Sequence, residues 1–470
     1  LTMGLFRMGT LVNFISHSVI IGFTAGAAVL IAANQVKNYF GLPIPRGSDF
    51  LEVLHYFVTH LGEINWAVTV VATITLVAGL LTKKFWPKIP FMIVAMFAGT
   101  AAALVANNIG YQVRTVGALP SSLPPLSMPD ISLTAFRELM PAAIAMTLFA
   151  LTEAVSIARA LAVRSGQHVN GNQEFVGQGL SNLIGSFFSA YVATGSFNRS
   201  GVNYQCGART PLASVFAGVL LAVVVVLVAP YAAYLPTAAM AGILFLVAWG
   251  LIDFHHIHQI IKTSKAETAI LMVTLLGAVF FELELAIFAG VMLSLGLYLN
   301  RTSHPAIVAV VPDPAQERRQ LSDDPELPEC PQARLVRVDG SLFFGAVPHV
   351  VERLRAMNPR QKHLALIAQG INFIDIAGAE ALAQEAERRR KEGGSLMLVS
   401  VKDGVAEPLR RGGYIDIIGE ENIFDSKTQA VTALVHRADP AICATCKSHI
   451  FRECQAVSIA PTPLETAAAE

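Results

Sequence analysis

The chain has 470 residues, 53% of them apolar and only 14% charged, with formal charges that cancel; ordinary soluble domains carry about 25% charged residues. Zero net charge leaves no global basic field for nucleic acid. Five cysteines, three of them in the last 28 residues, do not make the framework of a disulfide-stapled secreted domain. Long apolar runs fill 1–300, whereas 301–470 is dense in Lys, Arg, Asp and Glu, which predicts a membrane unit followed by a soluble one.

The opening LTMGLFRMG lacks a start methionine and a distinct signal peptide, so a preceding portion is expected to be absent. A helix needs about 20 apolar residues to cross the hydrocarbon. That places spans at 14–36, 64–81, 89–106, 139–162, 175–191, 212–229, 233–251, 269–281 and 283–299, the last two short and tightly joined near Glu282 and Glu284. Gly22-x-x-x-Gly26 suits close helix approach. With the soluble unit inside, the cytoplasmic ends carry Arg7, Lys83, Lys84, Lys88, Arg159, Arg164, Arg209, Lys262, Lys265 and Arg301. The other side holds Lys37, Arg46, Arg114 and Arg137, and this asymmetry fixes the orientation. GALPSSLPPLSMPD (117–130) has too many prolines for a continuous helix and reads as an outer loop or re-entrant cap.

Glu153 lies in MTLFALTEAVSIARALA, where an acid is costly unless it faces a cavity, pairs, or takes up a proton. Desolvation favours its neutral form and a nearby cation its carboxylate, so a structural role and a coupling-ion or proton role both stay open. Downstream, Asn172, Glu174, Gln178 and Asn182 share a helical face; Asn182 reads as structural, while Asn172 and Glu174 are candidates for an inner vestibule. TGSFNRSGVN (194–203) then places glycine, hydroxyls and an arginine inside apolar sequence. Irregular backbone at membrane depth survives only where protein or water covers it, so 194–207 reads as an extended half-crossing followed by a short helix. The N–H groups of such a helix start attract anions. Gly195 allows close backbone approach, Ser196, Phe197 and Asn198 form the start, and Arg199 supplies positive potential or braces Glu153.

Residues 301–333, with Pro305, Pro312, Pro314, Pro325 and Pro328, read as a linker and leading strand. An α/β domain follows over 334–438, with strands expected at 335–338, 341–344, 363–367, 395–399 and 416–418 and helices at 347–357, 378–391 and 426–437. It has no P-loop spacing and so gives no support to an ATPase. In the tail, 439–470, CATCKSHIFREC offers Cys443, Cys446, His449 and Cys454 as metal ligands or as a thiol pair, with an inert tail as the third reading.

LFRMGTLVNFISHSVIIGFTAGAAVLI, the Glu153 span, NQEFVGQGLSNLIGSFF and ATGSFNRSGVNYQCGARTP resemble the sulfate permease (SulP) family of anion transporters, and GSLFFGA (340–346) with FIDIAGAEAL (373–382) resembles its STAS domain. The resemblance implies two inverted seven-helix repeats whose broken helices meet at a central anion site, with Gly195–Arg199 as the second helix start and Glu153 in a neighbouring helix associated with cation coupling. It further implies that the first four helices are missing, that the protein is a homodimer, and that the STAS domain is cytoplasmic below an inner or plasma membrane. Ala377 stands where regulatory STAS domains carry a phosphorylatable serine.

The fold expected is therefore a polytopic α-helical membrane domain over 1–300, a partial inverted repeat with a broken helix, followed by an α/β STAS domain. The function expected is alternating-access transport of sulfate, bicarbonate or a small dicarboxylate, coupled to a proton at Glu153. An uncoupled channel, a sodium-coupled bicarbonate symporter, and a membrane scaffold whose STAS domain binds a cytosolic protein are the alternatives. No cofactor is expected beyond a structural metal in the tail.

Overall fold

The computed structural model describes residues 1–8, 16–45, 47–87, 89–117, 122–281, 283–315 and 320–454, with the backbone alone at 156, 159, 160, 163, 164, 197, 198, 202, 205, 230, 283 and 284. It divides into two compact units, Leu1–Leu295 and Gly296–Glu470.

The helices run in order α1 (Thr2–Leu5), α2 (His17–Phe40), α3 (Phe50–Thr59), α4 (Trp66–Phe85), α5 (Phe91–Asn108), α6 (Leu133–Ser165), α7 (Gly171–Ser186), α8 (Phe197–Gln205), α9 (Leu212–Ala232), α10 (Thr237–Leu251), α11 (Phe254–Thr263), α12 (Lys265–Phe280) and α13 (Leu283–Thr302). Polar residues at the boundaries set the starts. Ser16 Oγ accepts from the Ser18 N–H, Asn65 Oδ1 from those of Ala67 and Val68, and Ser132 Oγ from that of Ala135. Gly41 ends α2 with φ of 71°, a left-handed conformation that suits glycine.

Among the described residues seven helical stretches are long and apolar enough to cross a membrane: His17–Phe40, Trp66–Phe85, Phe91–Asn108, Leu133–Val155, Leu212–Ala229, Thr237–Thr263 and Leu285–Thr302. The spans expected at 175–191 and 269–281 are not among them. Helix α7 stops at Ser186, where the chain enters a tight turn, and α12 has 16 residues, about 24 Å against a hydrocarbon core of about 30 Å.

Small residues draw the α2, α4, α5, α10 and α12 bundle together. A Cβ built on Gly22 would stand 2.6 Å from the Leu271 carbonyl oxygen, and one on Gly26 2.6 Å from Ala278 Cβ, so α2 and α12 meet at backbone distance. Gly99 faces Thr75 and Ala239 in the same way, and Thr75 and Thr274 are fully buried with their hydroxyls returned to the Val71 and Ile270 carbonyls. By contrast Val215, Phe216, Leu220 and Leu227 of α9 are exposed, as lipid-facing residues would be.

The second unit is a seven-stranded sheet made of β1 (Ala306–Pro312), β2 (Leu321–Ser322), β3 (Ala333–Leu342), β4 (His363–Ile367), β5 (Ile371–Ile374), β6 (Ser395–Val399) and β7 (Ile423–Phe424). The order is β2-β1-β3-β4-β6-β7, with β5 also paired to β3. Strands β1 and β2 pair antiparallel, as do β1 and β3; the rest are parallel. Both faces are covered, so β4 reads as one apolar run. Leu364 and Leu366 pack with Leu382 and Ala386 of the helix Ile376–Lys391, and Ala365 and Ile367 with Leu434 and Val435 of the later helix Lys427–Arg437.

Two expected strands are corrected. Residues 341–344 are not a separate strand, since β3 continues to Leu342 before the chain bends. Residues 416–418 belong to a short helix, Tyr414–Ile418, set between Gly413 (φ 71°) and Gly419 (φ 93°), which buries Ile415 and Ile418 on one side.

One ion pair lies inside this unit. Glu385 Oε1 accepts from Arg389 Nε at 2.7 Å, with side chains 7% and 5% exposed, and Arg389 also donates to the Gln361 carbonyl at 3.0 Å. Burial works against the Glu385 carboxylate, but hydrogen bonds and charge from Arg388 and Arg389 outweigh it and hold the carboxyl below its usual range. A group with a lowered folded pKa contributes stability above its unfolded value and loses it as pH falls through the folded one. Glu385→Ala is therefore expected to cost about 3–5 kcal/mol at neutral pH, seen as faster hydrogen exchange of the β4 and β6 amides in the whole chain. Acidification should narrow the gap; exchange at the wild-type rate would show the pair to be dispensable.

Candidate functional site

The break between α7 and α8 begins at a tight turn. Ala190 N–H donates to the Gly185 carbonyl at 3.1 Å and Ser189 takes a left-handed φ of 54°. The proline-rich segment after residue 121 lies alongside: Ser127 N–H donates to the Phe187 carbonyl at 2.8 Å and Ser189 Oγ to Ser127 Oγ at 2.9 Å. It is a non-helical loop, as its prolines require, with 118–121 outside the described residues.

The chain then runs extended through 190–196, and α7 serves as its partner. Ala193 N–H donates to Asn182 Oδ1 at 2.7 Å, while Asn182 Nδ2 donates back to the Ala193 carbonyl at 2.9 Å. Gln178 Nε2 donates to that carbonyl as well. The Asn182 carboxamide thus takes the place of a neighbouring strand's peptide group, so backbone groups that would be unpaired in lipid are satisfied.

The next two residues fasten the segment to α6. Thr194 Oγ1 donates to the Ala150 carbonyl at 2.8 Å. A Cβ on Gly195 would stand 3.3 Å from Ala154 Cα and 3.3 Å from Ile157 Cδ1, tighter than most side chains tolerate. Ala150, Glu153, Ala154 and Ile157 follow i, i+3, i+4, i+7 spacing, so Glu153 belongs to the face of α6 that this segment crosses.

Helix α8 opens at once. Ser200 N–H donates to the Ser196 carbonyl at 2.9 Å, and Ser196 Oγ receives the Arg199 N–H at 3.5 Å, a long cap. Gly195, Ser196 and Glu153 are half-buried and Arg199 is exposed; the side chains of Phe197 and Asn198 lie outside the described set. Among the described residues no ion pair joins Arg199 to Glu153. Asn172 and Glu174 sit in the first turn of α7, whose start is capped by Asn170. Eight residues separate Glu174 from Asn182, about 12 Å along the axis, so these two stand away from the break.

Thr194 and the clamp on Ala193 carry the arrangement, and Thr194 was not singled out from sequence. The signal was an amide pair at i, i+4, Gln178 and Asn182, placed just before a Gly/Ser-rich run. In the tail, Cys443, Cys446 and Cys454 are half-buried and His449 is exposed. Among the described residues no three His, Cys, Asp or Glu side chains already stand at metal-shell spacing.

Residues 1–274 match the model of the sulfate permease family and 324–430 that of the STAS domain. YvdB of Bacillus subtilis (strain 168), which bears a provisional sulfate-transporter name, is 29% identical over 427 residues, 90% of this chain and 79% of its own length. Sulfate transporter 4.1, chloroplastic, of Arabidopsis thaliana is 28% identical over 444 residues, 90% of this chain and 64% of its own length. Among solved structures, murine solute carrier 26 family member A9, an anion transporter in the inward-facing state, is 20% identical with a TM-score of 0.82 over 92% of this chain and 72% of that one. The transmembrane domain of the cyanobacterium bicarbonate transporter BicA is 23% identical with a TM-score of 0.53 over 63% of this chain and 72% of that one. These two share the fold. The family match spans more than half of the sequence, and the chain belongs to the sulfate permease family, membrane transporters rather than enzymes, with a STAS domain after its helical unit.

Proposed function

We propose that this protein carries out secondary active transport of an inorganic anion or small dicarboxylate, sulfate or bicarbonate foremost, by alternating access and coupled to a proton taken up at Glu153. The observation that carries the reading is the extended segment fixed to the Glu153 face of α6 immediately before α8 begins. The first N–H groups of a helix have no intrahelical acceptor and carry the positive end of its dipole. At the start of α8 they are available to an anion, with Gly195 keeping side chains out of the way.

Proton uptake at Glu153 suits a doubly charged solute, because it lowers the net charge carried through the membrane potential. The relatives named for sulfate transport and the bicarbonate transporter of similar fold support these two substrates first. The basic residues at the cytoplasmic ends of the spans support a multi-pass protein in an inner or plasma membrane with its STAS domain inside.

Uptake of labelled sulfate and bicarbonate into liposomes holding the protein, with pH and sodium gradients set independently, tests the proposal. Glu153→Gln is expected to lower pH-driven uptake at least about tenfold, equivalent to about 1.4 kcal/mol, while reconstituting as well as wild type. Equal pH-dependent uptake by the two proteins would sink the coupling role.

Gly195→Val, whose side chain would meet Ala154 and Ile157, is expected to weaken anion binding about tenfold or more. Ser196→Ala removes only a long cap and should cost at most about 1 kcal/mol. Unchanged substrate affinity in Gly195→Val would place the anion elsewhere.

A further inference from the structure

The second unit sets Cys330 near three cysteines of the tail, Cys443, Cys446 and Cys454, from much later in the chain. Cys330 stands just before β3, close to the backbone N–H groups of Gln332 and Ala333. The Gln332 side chain reaches into the tail: Nε2 donates to Cys443 Sγ at 3.3 Å and to the Asp439 carbonyl at 3.1 Å, and Oε1 accepts from the Asp439 N–H at 2.8 Å. Cys443 and Cys446 close the short helix Pro440–Thr445, with Cys446 N–H donating to the Cys443 carbonyl at 3.2 Å. Cys330 and Cys454 pack on the same apolar cluster, into which the tail inserts Ile450 and Phe451, 7% and 2% exposed. Cys330 and Cys443 each lie within electrostatic reach of both Cys446 and Cys454. No disulfide joins them among the described residues.

We propose that Cys330, Cys443, Cys446 and Cys454 form a four-sulfur site for a single thiophilic divalent cation of the zinc class, fastening the tail to the start of β3. The Gln332 side-chain amide that donates to Cys443 Sγ is the kind of outer partner that metal-bound cysteines have. Thiolates brought this close repel one another, and a divalent cation turns that repulsion into attraction. Cys443 and Cys446 have the two-residue spacing of a metal knuckle, and Cys330 completes the set from a different part of the chain. His449 is exposed and has no part in it. The sulfurs are gathered rather than closed into a shell, so binding draws them inward by side-chain rotation.

The test is metal content of the whole chain, purified in detergent under reducing conditions and offered zinc(II) or cobalt(II). Stoichiometric zinc is expected, and the cobalt form should show intense sulfur-to-cobalt charge transfer with tetrahedral visible bands. Cys330→Ser and Cys446→Ser should each weaken binding at least about tenfold, whereas His449→Ala and Cys206→Ser, the latter outside this unit, should bind as wild type. Hydrogen exchange of β4 reports whether each variant keeps its sheet. The proposal is overturned by a chain that takes up no metal, by a disulfide within the four in non-reducing mass spectra, or by a cobalt spectrum that survives Cys330→Ser in a folded protein.

Discussion

A chain that leaves helical geometry inside a bilayer must find partners for its backbone polar groups, because lipid offers none. The stretch from Phe187 to Ser196 meets that demand from three directions. The proline-rich loop donates to Phe187, the Asn182 carboxamide pairs both polar groups of Ala193, and Thr194 reaches the Ala150 carbonyl. Only with those bonds in place can α8 begin where it does, next to the face of α6 that carries Glu153. Fixing the break is thus the same act as building the site.

Packing in the helical unit is uneven. The α2–α12 contact is held at backbone distance by Gly22 and Gly26, and buried threonines return their hydroxyls to their own helices. Side-chain bonds to backbone tie α6 and α7 to the segment that precedes α8. In the second unit apolar clusters cover both faces of the sheet, and the buried Glu385–Arg389 pair is held by hydrogen bonds, so an internal charge is tolerated.

Much of this was legible in the sequence for a simple reason. Hydrophobic length identifies spans, and a Gly/Ser/Asn run within them identifies a break. Seven of nine expected spans appear as long apolar helices. The two that do not, at 175–191 and 269–281, show what length alone misses: apolar residues such as Tyr191 and Val192 continue past the end of α7 but are extended. Residues 416–418 read as a strand because β-branched residues cluster there, whereas flanking glycines make a helix. Local pattern cannot tell which distant groups converge. That Thr194 would bond to α6, or that Cys330 would join the tail cysteines, depends on tertiary placement. The same holds for Arg199, which the sequence offers as positive potential or as a brace for Glu153 and which lies exposed.

The clamp on Ala193 is made by an amide and not by an acid. A carboxylate at residue 182 could accept from the Ala193 N–H but could donate to its carbonyl only when protonated, so the grip would loosen and tighten with acidity. Asparagine holds both bonds with no titration at all. The scaffold is thereby blind to protons and keeps the same grip on the chain whatever the acidity around it.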